Sequence, residues 1–251
     1  MSGSAAVPIA VNVDHAGQSF GNRVIFEDVT FSVATGEVFV VLGGSGCGKS
    51  TLLKQMIGLL PPTKGVITVR GHDVVTAVDA VRREIGVMFQ SGALFGSMTL
   101  LDNVMLPLVM FTDLPSRARA EIARIKLALV GLGEAINLLP SEISGGMAKR
   151  AAIARALALD PPILFLDEPS AGLDPITGAG LDRLILDLRA ALDCTFVVVT
   201  HELQSIFAIA DRCVMLDREA HGMIALGVPR DLQQSSDHPT VRAFFNRDAE
   251  P

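Results

Sequence analysis

The stretch that decides the fold is residues 38–51, VFVVLGGSGCGKST, in which an apolar run leads into a glycine-rich loop. Residues 38–42 are apolar at every position, which is typical of a strand buried on both faces of a parallel sheet. A helix is predicted from about Lys49 to Gly58. The loop fits GxxxxGK[ST] at every fixed position, and its candidate ligand-contacting residues are Gly43, Gly44, Ser45, Gly46, Cys47, Gly48, Lys49, Ser50 and Thr51.

The chemistry of this loop indicates a nucleoside triphosphate site. Successive glycines let the backbone turn its N–H groups inward as a nest for phosphate oxygens, and the helix N-terminus adds a partial positive charge. Lys49 can reach the β- and γ-phosphates, and the Ser50 hydroxyl can ligate Mg²⁺. An ordinary glycine-rich turn between a strand and a helix would not explain a lysine followed by Ser50 at the helix start.

The rest of the chain alternates between strand and helix patterns. Strands are predicted at 24–26, 29–33, 66–69, 85–89, 163–166 and 195–200. Residues 115–139 carry apolar residues at helical spacing up to Pro140, a second helix follows Ser144 to about Leu159, and a third spans about Leu181–Leu192. We therefore expect one α/β domain with a mainly parallel sheet and a helical lobe inserted at about 93–160.

Two carboxylates, Asp167 and Glu168, follow the predicted strand 163–166. The carboxyl end of a parallel strand lies at the same sheet edge as the phosphate loop, where ligands bind. Asp167 suits a metal ion, and Glu168 suits a water beside the γ-phosphate, which it could orient or deprotonate. Taken alone, the pair could equally cap the next helix, but the phosphate loop upstream favours the site.

Ser144, Gly145 and Gly146 form a second helix start with room for an anion. A plain serine cap would not favour two glycines in the first turn, because each costs around 1 kcal/mol in a helix. This candidate anion-binding helix start nevertheless lies in the predicted helical lobe and not beside the phosphate loop.

The ordered set of motifs resembles the ATP-binding subunit of ABC transporters over about residues 7–245. The motifs are the phosphate loop, Gln90 after a strand, ISGGM at 143–147, ILFLDEP at 163–169, AGLD at 171–174 and His201 after a strand. Alone, Gln90 and His201 would not indicate a functional site. Their place in the ordered set of motifs favours a functional role for both. The resemblance implies an α/β fold: a RecA-like P-loop NTPase core with an N-terminal antiparallel β subdomain and an inserted helical subdomain.

Within that single domain, residues 1–92 and 161–251 would form the nucleotide-binding core, and 93–160 the helical subdomain with the signature motif ISGGM. The resemblance also implies ATP and Mg²⁺ as cofactors and a head-to-tail homodimer. Residues Ser144, Gly145 and Gly146 of one copy would close over the γ-phosphate held by the other. This arrangement would account for the second helix start.

Further roles come from the same resemblance. Asp174 would join the two sites across the interface, His201 would bind the γ-phosphate, and Phe20 matches the aromatic that stacks on adenine. The expected catalytic residues are Glu168, His201, Lys49 and Gln90. The expected metal ligands are Ser50, Gln90 and Asp167, and Gln90 would also sense the membrane partner.

The sequence around Met147 and in two other segments restricts the resemblance to one group within the family. SEISGGMAKR at 141–150, MFQSGALF at 88–95 followed by TLLDNV at 99–104, and DEPSAGLDPIT at 167–177 are similar to the Mla and Mkl ATPases of MCE-protein lipid transporters. Ile143 replaces the usual leucine of the signature. The implied cargo is phospholipid, and the implied partners are an integral-membrane permease and an MCE-type substrate-binding protein. The chain would then lie peripherally on the cytoplasmic side of the inner membrane.

Composition agrees with this interpretation. The formal net charge is −6, from 21 basic and 27 acidic residues, which argues against a general nucleic-acid binder. The three cysteines lack CxxC spacing, so a disulfide framework or zinc site is not expected. No run of roughly 20 apolar residues suggests a membrane span. Part of the apolar residues in 88–111 is expected to be core, and the excess is expected to line a groove for a partner helix, with either place open for any one residue.

Two alternatives remain at this point. One is an ABC-type ATPase that acts on DNA or ribosomes, although such proteins usually carry two modules or a long coiled coil together with basic surfaces. The other is an ABC transporter ATPase for a different solute, whose catalytic residues would be identical.

Overall fold

The computed structural model describes residues 7–247. Its strands are β1 (Ile9–Phe20), β2 (Arg23–Ala34), β3 (Val38–Gly43), β4 (Lys64–Val69), β5 (His72–Asp73), β6 (Ile85–Met88), β7 (Ile163–Asp167), β8 (Thr195–Val199), β9 (Arg212–Asp217) and β10 (Gly222–Gly227). Its helices are α1 (Lys49–Met56), α2 (Val78–Glu84), α3 (Leu100–Phe111), α4 (Ser116–Leu129), α5 (Gly145–Ala156), α6 (Pro175–Leu192), α7 (Leu203–Ile209), α8 (Pro229–Ser235) and α9 (Pro239–Asn246).

The larger sheet has the strand order β10-β9-β3-β8-β7-β6. All neighbours in it pair in parallel except β10, which is antiparallel to β9. Every residue of β3 and of β8 is buried, as their continuous apolar sequence predicts. The predicted, mainly parallel sheet is confirmed. Because β3, β8 and β7 are neighbours running in the same direction, their carboxyl ends lie at one edge of the sheet.

A smaller antiparallel sheet, ordered β2-β1-β4-β5, packs against the larger one. Phe31 of β2 stacks on Phe39 of β3 with ring centroids 5.0 Å apart, so the two sheets share a core. Arg212 of β9 also joins them, since its guanidinium donates to the backbone oxygen of Ser32, at 2.7 Å, and to the Glu37 carboxylate. The antiparallel subdomain implied by the resemblance is therefore present.

Helices α3, α4 and α5 pack on one another, and α5 also packs on β6 and α6. The prediction of helix up to residue 139 was wrong beyond Leu129. The helix ends there because Gly131 adopts a φ of 76° and its N–H donates to Ala128 O, while Leu132 N–H donates to Leu127 O. This pair of bonds is a Schellman C-cap, which a glycine in the left-handed conformation favours.

The boundaries proposed for the core (1–92 and 161–251) and the helical subdomain (93–160) remain a prediction, and their ends at 1–6 and 248–251 lie outside the described residues. Helix α6 begins at Pro175, six residues earlier than its apolar pattern indicated, because Asp174 caps it. Among residues 7–247, the structure contains no helix with the length and apolar character needed to cross a membrane.

Candidate functional site

The phosphate loop lies where the sequence predicted it, between buried strand β3 and helix α1. Gly43 and Gly48 have φ of 144° and 103°, which side-chain-bearing residues rarely adopt. A Cβ on Gly43 would come within 2.2 Å of the Leu216 carbonyl oxygen, so space also demands glycine there. Residues Gly44, Ser45 and Gly46 are exposed, and the loop backbone is therefore open to a ligand.

The side chains of Lys49 and Cys47 meet within this loop, with Lys49 Nζ 3.9 Å from Cys47 Sγ. Lys49 Nζ donates to the backbone oxygens of Gly43 at 2.7 Å and Gly44 at 2.9 Å, which folds its ammonium over the loop. The Cys47 thiol is buried, and burial raises its pKa while Lys49 opposes that shift. The Cys47 thiol is therefore not presented to a phosphate, and any contact from this residue would come from its backbone.

Phe20 lies beside the phosphate loop, and its stacking on adenine stays a prediction. A cavity of about 350 Å³ is lined by Phe20, Arg23, Ile25, Gly46, Gly48, Lys49, Ser50 and Thr51. Phe20 ends β1 of the antiparallel sheet, and its side chain is half exposed. An exposed aromatic ring next to a phosphate-binding loop suits a purine base, which stacks on such faces.

Asp167 ends β7, and its Oδ1 is buried without a hydrogen-bond partner in the described part of the chain. Burial raises the pKa of this carboxyl, and the neighbouring charge of Glu168 raises it further. A buried carboxylate oxygen that lacks a partner, together with the exposed hydroxyl of Ser50 at the start of α1, is an oxygen set that fits Mg²⁺. Helix α1 packs on β7, so both residues belong to one edge of the sheet.

Glu168 and His201 form a pair that sequence reasoning did not foresee. His201 Nδ1 lies 2.8 Å from Glu168 Oε1, although each residue had been singled out separately. Glu168 is buried, its Oε2 has no partner among the described residues, and its φ is 47°. Its N–H donates to Val199 O at 2.8 Å, which holds this turn against β8. Uncommon backbone conformations of this kind cluster at functional sites.

Gln90 lies in an exposed turn two residues after β6. Its backbone oxygen accepts a hydrogen bond from Lys149 Nζ, and the same ammonium donates to Glu168 O at 3.2 Å. Burial lowers the pKa of Lys149, and the carboxylates of Asp167 and Glu168 oppose this shift. Sequence reasoning missed Lys149, although its position inside the run SGGMAK was a signal.

The second helix start has the predicted cap. Ser144 Oγ accepts from Met147 N–H at 3.3 Å, and Ser144 and Gly145 are exposed. A Cβ on Gly146 would lie 2.5 Å from Thr177 Cγ2, so this glycine permits close packing on α6. Among the described residues, none of the 144–146 segment lines the cavity beside the phosphate loop. Within one chain, the phosphate loop and the helix start at 144–146 are therefore separate candidate phosphate-binding sites.

Asp174 is the N-cap of α6, the helix on which Gly146 packs, and it therefore lies close to the second helix start. Its carboxylate accepts from the N–H groups of Ile176 and Thr177 and from the Thr177 hydroxyl at 2.5 Å. These hydrogen bonds, that of the Thr177 hydroxyl above all, lower the pKa of Asp174. The structure therefore gives Asp174 a capping role, and its part in joining two sites stays a prediction.

Comparison with known proteins agrees with this geometry. A family model described as ABC transporter matches residues 26–171. The chain is 45% identical over 242 residues to the probable ribonucleotide transport ATP-binding protein Mkl of Mycobacterium tuberculosis, covering 95% of this chain and 67% of that protein. It is 40% identical over 245 residues to the intermembrane phospholipid transport system ATP-binding protein MlaF of Escherichia coli, covering 95% of this chain and 90% of that protein.

A solved structure is similar as well. The dimeric ATP-binding cassette MJ0796, in a post-hydrolysis state with ADP and Pi, superposes with a TM-score of 0.77 at 29% identity, covering 87% of this chain and 98% of that one. The phosphate loop, the paired Glu168 and His201, and the signature helix start all occur on this shared fold. The chain therefore belongs to the ABC transporter family, as one of its ATP-binding, ATP-hydrolysing subunits.

Proposed function

We propose that this chain powers phospholipid transport as a head-to-tail homodimer on the cytoplasmic side of the inner membrane. The observation that carries the cargo assignment is the similarity to MlaF over 95% of this chain and 90% of that protein. Mkl bears the name of a ribonucleotide transporter, and the match spans a smaller share of that protein. Phospholipid and ribonucleotide are therefore the two cargoes that an experiment has to distinguish.

The chemistry of hydrolysis is assigned to the edge of the parallel sheet. Lys49 and the loop backbone would hold the β- and γ-phosphates, with adenine on Phe20. Glu168 Oε2, buried and without a partner among the described residues, would accept a hydrogen bond and then the proton of the attacking water. His201, hydrogen-bonded to Oε1, keeps that carboxylate in one orientation and would lie beside the γ-phosphate.

Mg²⁺ has a suitable set of residues at the same edge. Ser50, Asp167 and Gln90 would hold it, and when bound it would offset the negative charge that develops on the phosphate oxygens. The support in this structure is the partnerless, buried Oδ1 of Asp167.

A dimer explains why Ser144 is exposed and lies apart from the phosphate loop of its own chain. The signature helix start would close over the ATP that a second copy holds, so that each nucleotide is bound by both copies. Asp174 is exposed near that interface and would contact the other site. The dimeric state of the similar cassette supports this arrangement.

A groove at the end of α3 suits the permease. Its cavity of about 720 Å³ is lined by Asp79, Arg82, Arg83, Val109, Met110, Phe111, Thr112, Asp113 and Leu159. Residues 109–111 are half to two-thirds exposed, whereas Met88, Leu100 and Val104 of the same apolar run are core. We infer that a cytoplasmic helix of the permease docks here, with its apolar face on 109–111 and acidic residues towards Arg82 and Arg83.

The MCE-type partner would then bind the permease on the far side of the membrane. To test the whole proposal, the tagged chain would be purified from native membranes in detergent, and its co-purifying subunits and lipids identified by mass spectrometry. The complex would next be reconstituted in liposomes containing fluorescent phospholipid.

We expect a permease, an MCE protein and phospholipid to co-purify, and ATP to drive transfer of the labelled lipid. A complex whose ATPase is stimulated by a ribonucleotide or another soluble solute, and that moves no lipid, would refute the cargo. Co-purification with nucleic acid or ribosomes instead of membrane proteins would refute the transport role. As a check on the groove, Arg82→Glu with Arg83→Glu should weaken permease binding and leave ATP binding intact.

A further inference from the structure

We propose that Lys149 is a positioning residue for ATP hydrolysis, which couples the signature helix of one copy to the catalytic residues of that same copy. This inference rests on the proposed head-to-tail dimer. Lys149 lies in α5, five residues after Ser144, and its Nζ donates to the backbone oxygens of Gln90 and Glu168.

The choice of partners is what separates Lys149 from an ordinary buried lysine. A buried ammonium is costly unless it is paired, and such lysines usually form an ion pair with a carboxylate. Lys126 of α4 does so, with Asp160. Lys149 instead binds two backbone carbonyls, which belong to the predicted metal ligand Gln90 and the predicted base Glu168.

The contact with Glu168 acts on an uncommon backbone turn. Glu168 has a φ of 47°, and its N–H is already held by Val199 O. Lys149 donates to the carbonyl oxygen of the same residue. The backbone N–H and the backbone C=O of Glu168 are therefore both held by hydrogen bonds. Positioning of the carboxylate within a fraction of an ångström is what a catalytic base requires.

The contact with Gln90 has a second support further along α5. Arg155 donates to the backbone oxygens of Gly92, at 2.9 Å, and Ala93, at 2.7 Å. Two cations of one helix thus hold three carbonyls of the turn that contains Gln90. The signature helix and this turn are therefore held together, and Lys149 extends that unit to Glu168.

The consequence is a link between the two ATP sites. The N-terminus of α5 would bind the nucleotide held by the other copy, whereas Lys149 acts on the residues around the chain's own nucleotide. Movement of α5 when it meets the opposite ATP would thereby align Gln90 and Glu168 of its own site.

The first test is steady-state ATPase of the complex purified with its membrane partners. Lys149→Met removes the donors at nearly constant length, and we expect kcat to fall at least about 10-fold with KM for ATP changed less than about 2-fold. Lys149→Arg should restore most of kcat, because a guanidinium can also donate to two carbonyls.

Lys126→Met is the matched control, since it removes another buried lysine from the same group of helices without touching the site. We expect it to lower the unfolding temperature and to leave kcat per folded complex within about 2-fold. The proposal is overturned if Lys149→Met keeps its kcat, or if Lys126→Met loses as much.

The second test separates the two sites with mixed dimers, in which one copy carries Lys149→Met and the other Ser144→Arg. If Lys149 acts on its own site, both defects fall on one site and the other is intact. The mixed dimer should then match a dimer of wild-type and Ser144→Arg copies. If Lys149 only supports the helix start, each site carries one defect, activity falls well below that reference, and the proposal fails.

A separate experiment tests the head-to-tail dimer on which this proposal rests. A Ser144→Arg homodimer that hydrolyses ATP at the wild-type rate would refute shared sites, whereas the kcat loss of Lys149→Met would still report on positioning.

Discussion

Oε1 of Glu168 lies 2.8 Å from Nδ1 of His201, so that the residue after β7 and the second residue after β8 are held as one unit. This contact uses one carboxylate oxygen and leaves the other, Oε2, buried and without a partner in the described region. The geometry is that of a base held by an orienting group, as in other hydrolytic sites.

Glu168→Gln should abolish most hydrolysis, because an amide keeps the shape of the side chain but cannot accept the proton. General-base contributions are typically 10²–10⁴-fold, and we expect a loss of kcat in that range. ATP binding should persist, so the ATP-bound dimer should accumulate. Turnover assays and size-exclusion chromatography with ATP would measure both effects. Normal hydrolysis by this variant would remove Glu168 as the base.

Phe20→Ala should weaken ATP binding through loss of the stacking surface. Stacking of a base on an aromatic ring contributes about 1–3 kcal/mol, so the Kd for ATP should rise about 5- to 150-fold. Phe20→Tyr retains an aromatic face and is the matched control. Titration of a fluorescent ATP analogue would report Kd. An unchanged Kd in Phe20→Ala would mean that adenine lies elsewhere.

Gly146→Ala should destabilise the chain through its contact with α6. The new Cβ would lie 2.5 Å from Thr177 Cγ2, and Thr177 cannot rotate freely because its hydroxyl is bonded to Asp174. Overpacking of this kind costs typically 1–3 kcal/mol. Thr177→Ser removes Cγ2 but keeps the hydroxyl, so Gly146→Ala should cost less in that background.

Thermal unfolding of the two single variants and the double variant would give the coupling free energy between positions 146 and 177. An equal cost of Gly146→Ala in both backgrounds would show that the clash does not determine stability.

Asp182 should make the chain less stable as pH rises. Burial raises the pKa of its carboxyl above 3.8, and the hydrogen bond from Ser205 opposes this shift only in part. The folded state then binds the proton more tightly than the unfolded state does, so stability declines as pH rises from the unfolded pKa through the folded one.

Asp182→Asn removes that proton equilibrium and should flatten the pH dependence of the unfolding temperature above pH 4. We expect the difference between variant and wild type to favour the variant more at pH 7 than at pH 4. Parallel curves for the two proteins over this range would contradict the assignment.

The sequence by itself determined the phosphate loop, the buried strand before it and the capped signature helix. These features are local: an apolar run, glycines that allow φ values such as those of Gly43 and Gly48, and a serine three residues before the N–H it accepts from. Short-range backbone preferences of this kind can be read without knowing how the chain packs.

Contacts between distant residues were decided only by the tertiary structure. His201 and Glu168 are 33 residues apart, and Lys149 and Gln90 are 59 apart, so nothing local indicates that they meet. Phe20 reaches the phosphate loop because an antiparallel sheet packs on the parallel one. Such pairings follow from which faces are buried together, a property of the whole fold and not of any segment.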